Sequence, residues 1–190
     1  MSLNMPDHSE YVVFAEQLAN YSRAMLLIAS KKAPKITIKE DSSYVTETDK
    51  AVEQKLREEI QNKFPDHGII GEEFKDVNRN SDFVWILDPI DGTAAFVAGI
   101  PVYGTLIALA WKGMPFIGVI DHPLTDDRWV GVSNRISFMN GVPITTRSCK
   151  DMKKAYVTCS NPDFMSKNQL KQFEKFRDRV AYVQYGASCY

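Results

Sequence analysis

Two aspartates that lie three residues apart follow an apolar run in this sequence. Asp88 and Asp91 belong to "ILDPIDGT", residues 86–93, and "FVW" comes directly before it. The apolar run predicts a buried strand, Asp-Gly predicts a turn, and residues 93–97 can start a short helix. A helix N-terminus attracts anions, but two carboxylates beside it would repel them. A Mg²⁺ ion would resolve this conflict, because it binds carboxylate and phosphate oxygens together.

Further acids lie at the ends of other predicted elements. Glu72 and Glu73 end the apolar run "GIIGEE", and Asp49 follows "VTET" at the predicted start of a helix. Side chains at the ends of elements can converge on one site. Two metal ions held by such acids can activate a water and stabilise the leaving oxygen of a phosphate ester. The acids together predict metal-dependent phosphoryl chemistry.

Each of these segments also has an ordinary structural interpretation. "DPIDG" taken alone is a turn, "GEE" alone is a solvated acidic surface or a helix start, and Asp49 alone is a helix cap. The metal-site hypothesis therefore depends on the occurrence of all three segments in one chain, each at the end of an element.

The elements that must position these acids follow from apolar spacing. Helices are predicted near residues 14–28 and 49–64, and a largely antiparallel sheet from residue 69 onwards, followed by a helix at 166–176 and a strand at 180–185. Hairpin turns are predicted at Gly113 and at Asn140-Gly141. This order predicts an α+β fold. We expect an N-terminal metal- and phosphate-binding part at 1–145 and the start of a C-terminal α/β part at 146–190.

Composition narrows the possible partners. The 190 residues carry 23 Lys and Arg against 24 Asp and Glu, so no basic excess indicates nucleic acid. No apolar stretch is long enough to span a bilayer. The three cysteines are odd in number and lack metal-ligand spacing, which favours a reducing compartment. We expect a cytoplasmic protein with no nucleic-acid or membrane partner.

The three acidic segments resemble the motifs of a known family. "VTETD" at 45–49, "GEE" at 71–73 and "WILDPIDGT" at 85–93 resemble the inositol monophosphatase superfamily of Mg²⁺-dependent phosphatases, in order and in spacing. The resemblance covers essentially the whole chain. It implies a layered αβαβα sugar-phosphatase-like fold, Mg²⁺ as cofactor, a small phosphorylated metabolite as substrate, and a homodimer.

The resemblance also implies a role for each matching residue. Glu72, Asp88, the carbonyl of Ile90 and Asp91 would bind metal. Glu72 and Thr93 would position the nucleophilic water, and Asp49 would orient the Thr93 hydroxyl. The phosphate would be bound at Asp91, Gly92 and Thr93, through backbone N–H groups of the last two. Lys39 is a further candidate for contact with the phosphate or a third metal.

Within the superfamily, residues 99–132 look more like the histidinol-phosphate phosphatase branch. This implies hydrolysis of histidinol phosphate, a step of histidine biosynthesis, by direct attack of a metal-activated water. Hydrolysis of inositol 1-phosphate, or of small phosphate esters broadly, is the alternative among enzymes.

The chain departs from the family at its C-terminal end. The family's chains are longer and carry a Trp-Asp motif whose aspartate completes the second metal site. Here "YGASCY", residues 185–190, resembles the start of that portion, and no matching aspartate follows. We therefore expect an incomplete C-terminal portion, and a truncated non-catalytic product is the alternative from a different class.

Overall fold

The chain divides into two compact units, Met1–Ile144 and Thr145–Tyr190. The computed structural model describes residues 6–38 and 44–186 of them. Lys39 lies outside the described residues. None of the helices in the described ranges has both the length and the apolar character that a bilayer span needs.

Two long helices precede the main sheet of the first unit. Helix α1 spans Ser9–Ala29, and helix α2 spans Glu47–Lys63. Between them lie two short antiparallel strands, β1 (Ile36–Ile38) and β2 (Tyr44–Thr46). The buried side chains of α1 recur at helical spacing, as expected for a helix that packs one face against a core.

Helix α2 begins two residues before the sequence-based start at Asp49. Thr46 is its N-cap and accepts hydrogen bonds from the N–H groups of Thr48 and Asp49, while Asp49 accepts from the Thr46 N–H in return. This capping box satisfies backbone donors that have no partner inside the helix. Asp49 is therefore the third residue of the helix rather than its first.

A seven-stranded sheet forms the rest of the first unit. Its strands, in spatial order, are β3 (Gly68–Gly71), β4 (Phe83–Asp91), β5 (Gly104–Trp111), β6 (Met114–His122), β7 (Asp127–Val132), β8 (Ser137–Met139) and β9 (Val142–Ile144). A short helix, α3 (Thr93–Ala98), lies between β4 and β5 in the chain. Strand β3 pairs with β4 in parallel, and all other neighbours in this sheet are antiparallel. This mixed sheet with its helices confirms the predicted α+β class.

Both predicted hairpin turns are present. Lys112 and Gly113 connect β5 to β6 with φ values of 50° and 75°, and Asn140 and Gly141 connect β8 to β9 with 49° and 77°. Two consecutive residues with positive φ match the twist of an antiparallel pair, and Gly and Asn adopt that conformation at low cost.

The core of the first unit lies between the helices and the sheet. Phe14, Leu18, Leu56 and Ile60 from the two helices join Trp85 of β4 in one buried cluster. A buried carboxylate adds a polar connection from α1 to the sheet. Asp121 of β6, 1% exposed, accepts hydrogen bonds from Arg23 of α1 and Arg128 of β7.

The second unit contains a parallel pair of strands. β10 (Tyr156–Cys159) pairs with β11 (Tyr182–Tyr185), and helix α4 (Lys167–Arg177) lies between them in sequence. Ser166 and Gln169 form a capping box at the start of α4. A helical crossover is the usual connection between parallel strands, so this unit has the form of a βαβ segment.

Candidate metal and phosphate site

A β-bulge brings Asp88 and Asp91 to the same face of the sheet. Asp88 is opposite Leu106 on β5, and Asp91 is opposite Gly104, so three residue steps on β4 correspond to two on β5. In a regular strand, residues three apart point to opposite faces. Gly104 and Leu106 are two residues apart on β5, so they lie on the same face of the sheet. Each aspartate shares the face of the β5 residue opposite it. The extra residue on β4 therefore places Asp88 and Asp91 on one face.

Hydroxyl groups in the core hold this bulge. Thr105 Oγ1 donates to the carbonyl oxygen of Pro89 at 2.9 Å, and it also forms a hydrogen bond with the hydroxyl of Ser22 on α1. Both hydroxyl side chains are fully buried. The bulge leaves the carbonyl of Pro89 outside the regular ladder, and Thr105 supplies the partner that a buried carbonyl requires.

Strand β4 passes directly into α3 through one glycine. Gly92 has φ 88° and ψ 38°, a left-handed conformation that residues with a Cβ rarely adopt. Thr93 is the first helical residue after it. The first N–H groups of a helix have no partner within the helix, so they are available to an anion.

Asp49 connects helix α2 to this turn. Its Oδ2 accepts from the Thr46 N–H at 2.7 Å, and its Oδ1 lies 3.4 Å from the hydroxyl oxygen of Thr93. The Thr93 hydroxyl is also 3.0 Å from the carbonyl oxygen of Ile90. A hydroxyl has one proton, so these two acceptors are alternatives for it. In either case the Thr93 oxygen keeps lone pairs that can accept a hydrogen bond from a water.

The acids of the site lie close enough to perturb one another. The pKa of Asp88 rises to about 8, first because burial disfavours its charged form and then because of the neighbouring charges of Glu72 and Asp91. A hydrogen bond with Glu72 and the charge of Asp49 raise it further. Burial also raises the pKa of Asp49, although its hydrogen bonds from Thr46 oppose that change. Like charges that share a partly buried site favour protonation of one of them.

The donor chemistry of this cluster fits a hard divalent cation. Carboxylate and carbonyl oxygens are the ligands of Mg²⁺, and a cation would relieve the repulsion that raises the pKa of Asp88. Oδ1 of Asp88 is buried and has no hydrogen-bond partner in the part of the chain that the structure describes. Within residues 6–38 and 44–186, no three His, Cys, Asp or Glu side chains are already gathered around one ion position. The assignment of a Mg²⁺ site therefore depends on the oxygen ligands that these residues offer and on Oδ1 of Asp88.

The sequence did not indicate the residues that support the segment after β3. Glu53 of α2 accepts hydrogen bonds from the backbone N–H groups of Glu73 and Phe74, directly beyond Glu72. Glu53 and Arg57 are both buried. The sequence did contain a signal for these residues. Glu53 and Arg57 are oppositely charged, lie one helical turn apart and are next to the apolar positions of α2. Thr105, which supports the bulge, gave no signal because it resembles any β-branched residue of a strand.

The structure thus groups the predicted site residues in two ways. The Thr93 hydroxyl lies within hydrogen-bond distance of Asp49 and of the Ile90 carbonyl as alternative acceptors, and electrostatic interactions connect Asp88 with Glu72, Asp91 and Asp49. Gly92 joins the two groups through the chain. The roles of these residues in metal binding, phosphate binding and catalysis stay predictions.

The first unit also contains a cavity. Its volume is about 810 Å³, and it is lined largely by apolar side chains from α1, β7 and β8, among them Val12, Val132 and Phe138. None of the acids discussed above lines it. Its lining offers no carboxylate to a metal, so the phosphoryl chemistry is better supported at the end of β4.

Comparison with known proteins agrees with the fold and the acidic segments. A family model described as inositol monophosphatase family matches residues 7–190. The chain is 38% identical over 182 residues to a protein of Arabidopsis thaliana named bifunctional phosphatase IMPL2, chloroplastic, covering 95% of this chain and 53% of that protein. It is 33% identical over 135 residues to a histidinol-phosphatase of Chlorobaculum parvum, covering 71% of this chain and 52% of that protein.

A solved structure of an inositol monophosphatase from Zymomonas mobilis has the same fold. It superimposes with a TM-score of 0.84 at 33% identity, over 96% of this chain and 71% of that one. The chain spans about half the length of the two curated relatives above.

Proposed function

The chain belongs to the inositol monophosphatase family, as its motifs predicted, and from this membership we propose that it acts as a metal-dependent phosphatase on a small phosphate monoester. The observation that carries the proposal is the shared face of Asp88 and Asp91, with Thr93 hydrogen-bonded to Asp49 directly beside it. The end of β4 therefore brings together three kinds of group: carboxylates that can bind a cation, N–H groups that can bind an anion, and a hydroxyl that can orient a water.

The residues that would hold Mg²⁺ are Glu72, Asp88, the carbonyl of Ile90 and Asp91. When bound, the ion would neutralise these acids, polarise a phosphate oxygen and lower the pKa of a bound water. Oδ1 of Asp88, buried without a hydrogen-bond partner in the described residues, supports this assignment, because a buried carboxylate oxygen needs a cation or a donor.

The remaining residues would orient the reacting groups. Glu72 and Thr93 position the water, and Asp49 draws the Thr93 proton away so that the hydroxyl oxygen accepts from that water. The N–H groups of Gly92 and Thr93, beside the carboxylate of Asp91, hold a phosphate oxygen. The water oxygen forms the new bond to phosphorus as the ester oxygen leaves, and no covalent phosphoenzyme forms. Holding both reactants in line would supply much of the rate enhancement.

Histidinol phosphate is the substrate that we propose, which would give the protein a role in histidine biosynthesis. The similarity of residues 99–132 to the histidinol-phosphate phosphatase branch supports it, and so does the relative named histidinol-phosphatase. Inositol 1-phosphate is the second candidate, because the Zymomonas mobilis structure, at 33% identity, is an inositol monophosphatase. A homodimer in the cytoplasm, without nucleic-acid or membrane partners, remains the expectation from sequence.

Phosphate release from the two esters, measured with and without Mg²⁺, tests the proposal. We expect Mg²⁺-dependent release, with a kcat/KM for histidinol phosphate at least tenfold above that for inositol 1-phosphate. The reverse order would favour the second candidate. No release from either ester in Mg²⁺ would favour the non-catalytic alternative.

A further inference from the structure

Helix α2 carries an ion pair that is almost completely buried. Arg57 Nε donates to Glu53 Oε1 at 2.8 Å, and the side chains are 7% and 0% exposed. The two residues are one helical turn apart. Burying two charges is unfavourable unless their remaining hydrogen-bonding atoms also find partners, so the other contacts of the pair indicate what it does.

Within the described residues, the other hydrogen bonds of the pair go to the backbone of one segment, and the Arg57 guanidinium also lies over the Phe74 ring. Glu53 Oε2 accepts from the Glu73 N–H at 2.7 Å, and its Oε1 accepts from the Phe74 N–H at 3.2 Å. Arg57 Nη2 donates to the carbonyl of Phe74, and its Nη1 to the carbonyl of Lys75, each at 3.1 Å. Four hydrogen bonds therefore connect the pair to residues 73–75, which form no strand or helix of their own.

Gly71, the last residue of strand β3, also lies against the pair. A Cβ atom added to Gly71 would be 2.1 Å from Glu53 Oε1 and 2.8 Å from Arg57 Nη2. Gly71 is thus packed directly on the two side chains, and any larger residue there would force the ion pair to move. Glu72 lies between Gly71 and Glu73, so its backbone is fixed on both sides by the same ion pair.

We propose that Glu53, together with Arg57, is a positioning residue that fixes the backbone of Glu72 and so aims its carboxylate at Asp88. This inference rests on the proposed function, because it concerns the use of Glu72 as a metal ligand. Outer partners that orient a ligand commonly change metal affinity when they are replaced. A merely structural ion pair would change stability and leave the affinity of the folded protein unaltered.

Calorimetric titration with Mg²⁺ separates these two roles. Glu53→Gln keeps the volume of the side chain, but its amide nitrogen replaces one acceptor oxygen, so in either orientation at least one N–H of residues 73–74 loses its acceptor and the negative charge beside Arg57 is removed. Ile60→Ala, on the same helix and 0% exposed, is the matched control, since it destabilises the packing of α2 and leaves the four hydrogen bonds from Glu53 and Arg57 to residues 73–75 in place. Arg57→Lys is the second variant, because it retains a cation beside Glu53 and loses the paired donors to Phe74 and Lys75.

We expect Glu53→Gln to weaken Mg²⁺ binding by roughly 10- to 100-fold, Arg57→Lys by at least about threefold, and Ile60→Ala by less than either. If Glu53→Gln does not fold, the comparison of Arg57→Lys with Ile60→Ala decides. Affinities of the Glu53 or Arg57 variant equal to that of Ile60→Ala would overturn this inference and leave the proposed function intact. No Mg²⁺ binding by the wild-type protein would overturn both.

Discussion

The hydroxyl oxygen of Thr93 lies 3.4 Å from Oδ1 of Asp49, a carboxylate 44 residues earlier in the chain. The distance is long for a hydrogen bond between oxygens, and the Ile90 carbonyl at 3.0 Å competes for the same proton. Asp49 itself is held by the capping box at the start of α2. A rigid helix end therefore sets the position of the carboxylate, and the orientation of the hydroxyl depends on which acceptor it uses.

Thr93→Ala is predicted to lower kcat much more than it raises KM. The methyl group of alanine cannot accept a hydrogen bond, so the attacking water loses its orientation while the N–H groups of residues 92 and 93 remain. We expect a loss of roughly 10²-fold in kcat, typical of a removed group that acts in the transition state. Thr93→Ser, which keeps the hydroxyl, is the control in the same phosphate-release assay. An effect on KM alone would show that Thr93 only binds substrate.

Asp88→Asn is predicted to weaken Mg²⁺ binding at least tenfold. The amide keeps the shape of the side chain and removes the negative charge that a hard cation requires. Calorimetric titration measures the affinity directly. The control is Asp82→Asn, the same chemical change at an exposed acid immediately before strand β4. Equal affinities in the two variants would exclude Asp88 as a ligand.

In metal-free protein, the contribution of Asp88 to the free energy of unfolding is predicted to fall as the pH rises from about 4 to 8. The pKa of Asp88 is about 8 in the folded protein against an ordinary value of 3.8, so between these values the folded state retains a proton that the unfolded state has released. A raised pKa therefore stabilises the fold at low pH and loses this contribution as pH approaches 8. Urea unfolding in EDTA at pH 5 and pH 8 measures the difference, and Asp88→Asn should reduce it. An equal difference in that variant would contradict the assignment.

The contribution of His67 to stability is predicted to have the opposite pH dependence to that of Asp88. Its Nδ1 accepts from the Trp85 indole N–H at 3.1 Å, which requires an unprotonated nitrogen, and burial holds its pKa below the ordinary 6.5. The folded protein should keep its full stability above pH 6.5 and lose part of it as pH falls through the lowered pKa. His67→Gln should reduce the loss between pH 6.5 and 5 in EDTA. His8→Gln is the control for removal of a histidine elsewhere in the unit.

Thr105→Val is predicted to destabilise the first unit by about 1–3 kcal/mol. Valine has nearly the shape of threonine, but it leaves the buried carbonyl of Pro89 and the hydroxyl of Ser22 without their partner. Thr105→Ser keeps the hydroxyl and serves as the control. The urea midpoint of each variant gives the comparison, and a valine variant as stable as the serine variant would show that the bulge does not depend on this hydrogen bond.

Local sequence chemistry accounts for most of the elements. Asn140-Gly141 and Gly113 identified two hairpin turns, because positive φ selects these residues. The apolar run and the Asp-Pro-Ile-Asp-Gly-Thr segment after it identified a strand and a short helix in that order, although the strand continues through Asp91 and only Gly92 separates it from the helix. The family assignment followed from the same segment together with residues 45–49 and 71–73.

Interactions between distant parts of the chain were not predictable in this way. The parallel pairing of β3 with β4 depends on a connection that local patterns do not specify. Glu53 and Arg57 on α2 had the appearance of ordinary helix residues, and their contacts with residues 73–75 appear only when helix and sheet pack together. The sequence placed Asp88 and Asp91 at the end of a strand, but it did not reveal that an irregular register brings them to one face.

That irregular register makes the length of the stretch between the two aspartates as important as its composition. Side chains alternate along a strand, so residues an odd number of steps apart point to opposite faces. Asp88 and Asp91 are three steps apart, and the bulge at Pro89 and Ile90 returns them to the same face. A regular strand with the same three steps would turn Asp91 away from Asp88, and the bulge prevents this. Deletion of Pro89 or Ile90 would leave the aspartates two residues apart and still on one face, but it would remove the bulge that Thr105 supports. Every acid of the site would then remain in the sequence while the spacing between Asp88 and Asp91 changed.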